Sequence, residues 1–246
     1  MNEKRNSIIE KVRALFNKAN PENKATPAEA ASALSKAQEL MTKYGIEQME
    51  AEATHDESIF DIGKTEWNTD RSRRNIDSYV FNVLKECFGV DVVFTSYQTP
   101  GKKVESVSYV IIGDVLDREM AKFAAPIIYK TMLSGFSAWL KSSGSKWSAA
   151  YERSYSYGVY RGYVTASDEG KTLAMKHLSK EKKEQFGLIL IGKASLIEDF
   201  KTKEFPRITS IKTRRGFGSE QAQQIGFGKG ANMKLTPTTK SLANKN

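Results

Sequence analysis

The sequence predicts an α+β fold: an N-terminal helical hairpin, a small mostly antiparallel sheet packed by long helices, and a basic C-terminal segment. Three observations carry this. Two runs rich in Val, Ile, Phe and Tyr, Val90–Tyr97 and Val104–Ile112, flank T-P-G-K-K and read as a β-hairpin with a basic tip. Apolar residues recur at helical spacing from Asp114 to about Lys141 and from about Trp147 to Leu178, stretches too long for strands. Thr26 to Ile46, finally, is a nearly self-contained helix specification.

Taken in order, Ser7–Phe16 places Ile8, Ile9, Val12, Leu15 and Phe16 on one face of a first helix. The loop N-P-E-N-K-A separates it from the second helix. There Thr26 is the N-cap, Pro27 takes the first helical position and Glu29 completes a T-x-x-E capping box. Ala30, Leu34, Ala37, Met41 and Tyr44 form the apolar stripe, and Gly45 is the expected stop. Residues 1–50 thus form a helical hairpin module, and two helices this short must dock on something else. Residues 51–75 are polar and read as a linker or loop, with weak strand character around Ser58–Ile62.

The α+β domain spans residues 76–234. It opens with a third helix marked by Ile76, Tyr79, Val80, Val83 and Leu84 and closed by Gly89, followed by the hairpin. Asp114 caps the next helix, in which Pro126 removes one backbone donor and predicts a kink. In the following helix Gly158, Gly162, Ala166 and Gly170 recur every four residues. Glycine costs roughly 1 kcal/mol in a helix interior, so a ridge of missing side chains predicts close approach of another helix. Phe186–Ile191 reads as a short apolar strand, Ser195 to about Glu204 as a helix ended by Pro206, and Ser219 to about Phe227 as a last short helix. The Thr-, Lys- and Asn-rich residues 235–246 read as a disordered tail.

Composition bounds the function. A hydrophobic content of 39% fits a folded chain, and no apolar run approaches a membrane span, so no membrane partner is expected. The charged start M-N-E-K-R-N lacks the apolar core of a signal peptide. The lone Cys87 excludes an intramolecular disulfide framework and makes a reducing cytoplasm the expected setting.

The segment A-x-x-A-x-x-A-L-x-K-A-Q-E-L-M-x-K-Y-G-I, within Thr26–Ile46, resembles the N-terminal module of the family called domain of unknown function 2786. Members occur in bacteria, bacteriophages and some eukaryotes. Y-V-I-I-G-D-x-x-D-x-E-M-A-K-F, S-Y-S-Y-G-V-Y-R-G-Y, L-I-L-I-G-K-x-S-L-I-E-D-F and the Gly/Ala-rich stretch from Gln221 to Gly230 look like its second domain. The Lys-rich composition and modest size suit a phage-encoded member. The resemblance implies fold boundaries and carries no activity, substrate or catalytic residue.

Chemistry is sparse. His55 and His177 lie in no zinc-binding arrangement, and with one cysteine a zinc site is not expected. Cys87 beside an apolar helix face reads as a structural thiol more readily than as a nucleophile. No nucleophile elbow, Walker A motif or strand-borne G-x-G-x-x-G pattern is present. G-F-G-K-G at Gly226–Gly230 follows a helix instead of preceding one, so it reads as a C-cap and flexible exit, not a phosphate cradle. Asp114, Asp117 and Glu119, and more weakly Glu198-Asp199, sit where a nuclease gathers Mg²⁺, but acidic residues in a first turn also complement the helix dipole without metal. No catalytic residue, metal ligand or cofactor is assigned.

Charge is the clearest functional signal. Of a net +9, residues 201–246 contribute ten Lys/Arg against two Asp/Glu, whereas residues 1–56 carry eight against nine. Such a patch is the footprint of a polyanion binder, and equally of a solubilising tail. The expected phosphate contacts are Lys201, Lys203, Arg207, Lys212, Arg214, Arg215, Lys229 and Lys234, with Phe217 among them and Lys102 and Lys103 at the hairpin tip as an extension. Tyr151, Tyr155, Tyr157, Tyr160 and Tyr163 offer rings for base stacking, although the series wraps its helix and also reads as packing. The leading expectation is a non-enzymatic nucleic-acid-binding accessory protein, with DNA or RNA as partner. A module that binds or inhibits a host protein, using the Ala-rich face of the hairpin, is the alternative. A Mg-dependent nuclease is the third.

Overall fold

The computed structural model describes residues 2–18, 27–52, 60–69, 75–98, 105–208 and 218–231. Its elements are α1 (Asn2–Lys18), α2 (Pro27–Glu52), β1 (Ile62–Thr69), α3 (Asn75–Phe88), β2 (Asp91–Gln98), β3 (Glu105–Asp114), α4 (Val115–Ser143), α5 (Ala149–Met175), α6 (Lys180–Glu204) and α7 (Glu220–Ala231). The fold is α+β, with one antiparallel sheet of order β1-β3-β2 among the described residues. Register runs from Ile62 opposite Asp114 to Thr69 opposite Val107, and from Asp91 opposite Ile112 to Gln98 opposite Glu105.

Strand alternation sends β3 to two cores. Ile111 joins the main cluster with Val80, Val83, Leu84, Met120 and Ile128, while the Tyr109 ring lies 4.8 Å from that of Phe81 on α3. Val110 and Ile112 face the other way, against Ile197, Phe200 and Phe205 around α6. The sheet is therefore covered on both faces. Arg118 fastens its end, donating to the Asp61 carbonyl at 2.8 Å and the Gly113 carbonyl at 3.1 Å.

Two predicted caps of the middle helices are present: Asp114 accepts from the Leu116 N–H, and Gly89 at φ +63° closes α3. Gly144 at φ +65° closes α4, a stop that the sequence expectations do not include. Only glycine takes that left-handed conformation without penalty. The glycine ridge of α5 meets two neighbours. A Cβ on Gly158 or Gly162 would run into the backbone of α7 near Gln223 and Gly230, and one on Gly170 would lie 2.7 Å from the Ser35 carbonyl on α2.

Several expectations change. Gly45 does not end α2, which continues to Glu52; it sits against the Phe186 ring, where a Cβ would come within 3.4 Å. The segment read as linker holds strand β1. Phe186–Ile191 is not a strand but the middle of the 25-residue α6, started by Ser179 accepting from the Lys182 N–H at 3.3 Å. A short apolar run has no period of its own, and the flanking K-E-K-K-E decides it as helix. G-F-G-K-G lies inside α7, its Gly226 and Gly230 pressed against Tyr155 and Val159, so the C-cap reading gives way to close helix packing. The Thr26 cap, the loop after α1, the hairpin tip with Lys102 and Lys103, and residues 235–246 lie outside the described residues.

Candidate functional site

Of the eight basic candidates, Lys201, Lys203, Arg207 and Lys229 fall within the described residues; Lys212, Arg214, Arg215 and Lys234 lie outside them. Lys201 is engaged internally. Its Nζ donates to Asp91 Oδ2 at 2.7 Å and to Glu198 Oε2, tying the end of α6 to β2. Burial works against its charge, but these carboxylates outweigh it and the pKa is raised. Lys203 in the last turn of α6, Arg207 just beyond it and Lys229 on α7 are exposed and form no ion pair among the described residues.

The tyrosines of α5 divide by face. Tyr155 and Tyr163 are buried, and Tyr155 packs its ring 5.7 Å from Phe136 and 6.3 Å from Trp139. Tyr151 stands edge-on to Trp139 at 5.6 Å, and Tyr157 meets Tyr79 at 6.3 Å. These rings are the seam between α3, α4 and α5, so packing accounts for them. Cys87 is buried, and burial pushes its thiol pKa up to about 12, which keeps it protonated and unreactive.

The acidic junction of β3 and α4 is occupied by protein partners. Asp114 Oδ1 accepts from the Asp61 N–H at 2.9 Å, and its Oδ2 accepts from the Leu116 N–H at 3.3 Å. Asp117 is buried and ion-paired with Lys193. Among the described residues no group of three His, Cys, Asp or Glu is placed to hold a metal ion. The two aspartates act as helix cap and counter-ion.

Beside this junction lies a cavity of about 540 Å³ between α2, α3, α5 and α6. Met41, Met175, Phe186, Ile189 and Leu190 make its apolar wall, and Asp114, Asp117 and Lys193 its polar end. The Lys193 Nζ also stands 5.4 Å from the Phe60 ring centroid, and its side chain is only 12% exposed. Burial lowers its pKa to about 8, with Asp114 pulling the other way.

Lys193 is the residue sequence reasoning missed. Taken as the end of a strand, L-I-L-I-G-K gives it no role. Taken as a helix, Phe186, Leu190, Lys193 and Ile197 fall at spacings of four, three and four, and a lysine stands in an apolar stripe. That substitution is the signal for a buried ammonium.

Residues 7–48 match the family described as "Protein of unknown function (DUF2786)", the family the N-terminal module resembles. The match covers most of α1 and most of α2. No curated protein and no solved structure matches the chain.

Proposed function

We propose that the protein binds nucleic acid through its basic C-terminal segment, as an accessory factor without catalysis of its own. The observation that carries this reading is the concentration of charge: ten Lys/Arg against two Asp/Glu in residues 201–246. Lys203, Arg207 and Lys229 are exposed and form no ion pair among the described residues, which supports their availability for phosphate. Lys201 drops out of the contact set because Asp91 and Glu198 already hold it. A salt titration of DNA and RNA binding tests this. Each duplex phosphate contact contributes about 0.9 to the slope of log K against log salt, so Arg214→Ala with Arg215→Ala lowers the slope by about 2. Lys201→Ala leaves the slope unchanged. No binding at low salt, or an unaltered slope in the double variant, ends the proposal.

A second reading, a protein-binding module, is favoured by the outward side of α6, where Leu188 is 69% and Ile191 67% exposed. Leu188 and Ile191 stand three residues apart on the helix, and contiguous exposed apolar surface marks interaction sites. Capture of a partner that survives nuclease treatment and disappears with Leu188→Glu and Ile191→Lys supports it. Capture that the nuclease abolishes returns the argument to nucleic acid.

A further inference from the structure

The cavity beside the β3–α4 junction has a use that phosphate binding on the C-terminal segment does not explain. Its volume of about 540 Å³ lies within the roughly 300–1,000 Å³ typical of small-molecule sites, which are mostly apolar with a few convergent polar groups. Here the wall is Met41, Leu116, Met175, Phe186, Ile189 and Leu190, and the convergent group is the Lys193 amine against Asp117. We propose that this cavity binds a small, largely apolar aldehyde or ketone and that Lys193 captures it as an imine.

Charge selects the ligand class. From β2, Asp91 lines the cavity and from α6, Glu198, and the one ammonium of Lys201 bridges these two carboxylates. From α3 come Lys85 and Glu86, both exposed, and from α5 comes Lys171, which donates to the Glu86 carbonyl at 2.9 Å. Around Lys193 itself one ammonium faces two carboxylates, Asp114 and Asp117. An anionic head would enter a surplus of negative charge, and a cationic head would have to displace Lys193 from Asp117. A neutral carbonyl meets neither penalty. Its oxygen accepts a hydrogen bond from the amine end while its body lies on the apolar wall.

The partners for the reaction are in place. Asp117 takes a proton from the Lys193 ammonium, and the freed amine nitrogen adds to the carbonyl carbon as the C=O π pair moves to oxygen. A proton passes from nitrogen to that oxygen, giving the neutral carbinolamine. Asp117 then returns its proton to the hydroxyl, which leaves as water, and a protonated imine remains paired with the Asp117 carboxylate. One carbonyl and one ammonium give one protonated imine and one water, with no oxidant or reductant. Desolvation in an apolar pocket is what activates a lysine for imine formation, and the Asp117 carboxylate serves here as the proton carrier. Cys87 also lines the cavity, but its thiol stays protonated and does not compete as a thiolate.

The full chain incubated with benzaldehyde, quenched with borohydride and mapped by peptide mass tests the proposal. With its pKa lowered to about 8, Lys193 is about half neutral at pH 8, whereas an ordinary lysine near 10.4 is neutral to well under one per cent. The expected result is at least about tenfold more reduced adduct on Lys193 than on exposed Lys203 or Lys229, rising with pH to half its plateau near pH 8. Excess benzyl alcohol, which fills the cavity without reacting, protects Lys193 and leaves Lys203 labelling unchanged; this arm needs no variant. Lys193→Met removes the selective adduct. Labelling of Lys193 no higher than that of Lys203, or no protection by benzyl alcohol, overturns the proposal and leaves the pair as a structural clamp. Neither outcome depends on nucleic-acid binding.

Discussion

Helices α5 and α6 are nearly equal in length, each carries glycines within it, and they are held in opposite ways. On α5 the glycines are contacts: Gly158 and Gly162 bring the α7 backbone onto the helix, and Gly170 admits α2. On α6 a Cβ at Gly187 or Gly192 would meet nothing within 4 Å. The same contrast runs through the other side chains. Helix α5 buries Tyr155, Val159, Tyr163 and Ala166 together with Ser154, Ser156 and Ser167. Helix α6 buries Phe186 and Ile197, while Leu188 and Ile191 face outward. Helix α5 is thus fixed by close packing along its length. Helix α6 is pinned at a few points: Phe186, Ile197, and the ion pairs of Lys193 with Asp117, Lys201 with Asp91 and Glu204 with Lys64. Glycine content, three residues against two, does not separate these cases; the neighbours do.

Removing a pin is the hardest test of this contrast. Asp117→Ala strands the Lys193 ammonium in a buried place, and breaking a buried pair on one side costs about 3–5 kcal/mol. Amide exchange would then quicken through α6 before α5. The cost has a pH signature. Lys193 has its pKa lowered from 10.5 to about 8, so between those values the unfolded chain holds the proton and the folded chain does not. Stability contributed by this group therefore rises with pH across that window, because the amine can be buried neutral. Denaturation of Asp117→Ala at pH 7 and pH 9.5 should show a smaller deficit at the higher pH. An equal deficit at both would mean that Lys193 is not the group being stranded.

Glycine replacements come next and should differ in sign. Gly162→Ala places a methyl group into the α7 backbone near Gly230, and overpacking of this kind costs about 1–3 kcal/mol. Gly187→Ala with Gly192→Ala meets open space, and the gain in helix propensity stabilises by up to roughly 1 kcal/mol per site. Thermal melts of the two sets read this directly; a loss of stability in the α6 pair would show that its outer side is already covered. The smallest effect belongs to Leu188→Glu, at 69% exposure, which should stay within about 0.5 kcal/mol as surface changes do.

Much of the fold is legible along the chain because its signals are local. Asp114 as a cap, Gly89 as a stop and the Val-, Ile-, Phe- and Tyr-rich runs of β2 and β3 each depend on a few neighbouring residues, and each is found. The ridge at Gly158, Gly162 and Gly170 also announces a close partner, though not which one. Local signals fail where a residue serves a distant contact. Gly45 looks like a stop because glycine usually is one, yet it remains helical beside Phe186, which lies far along the chain. Phe186–Ile191 looks like a strand because its apolar run is short, and Ser179 and the charged turn after it decide otherwise.

The candidate sites divide in the same way. Net charge is additive over residues, so the basic character of the C-terminal segment is read by counting. Whether a given lysine is available is not additive: Lys201 is drawn to Asp91 on β2, while Lys203, two residues on, stays exposed. The cavity has no trace in any one segment. Its apolar wall comes from α2, α5 and α6 and its polar end from the β3–α4 junction, and Lys193 meets Asp117 only once these are packed. Caps, periods and charge are properties of neighbours in the chain. Burial, pairing and a shifted pKa are properties of neighbours in space, and only tertiary packing supplies them.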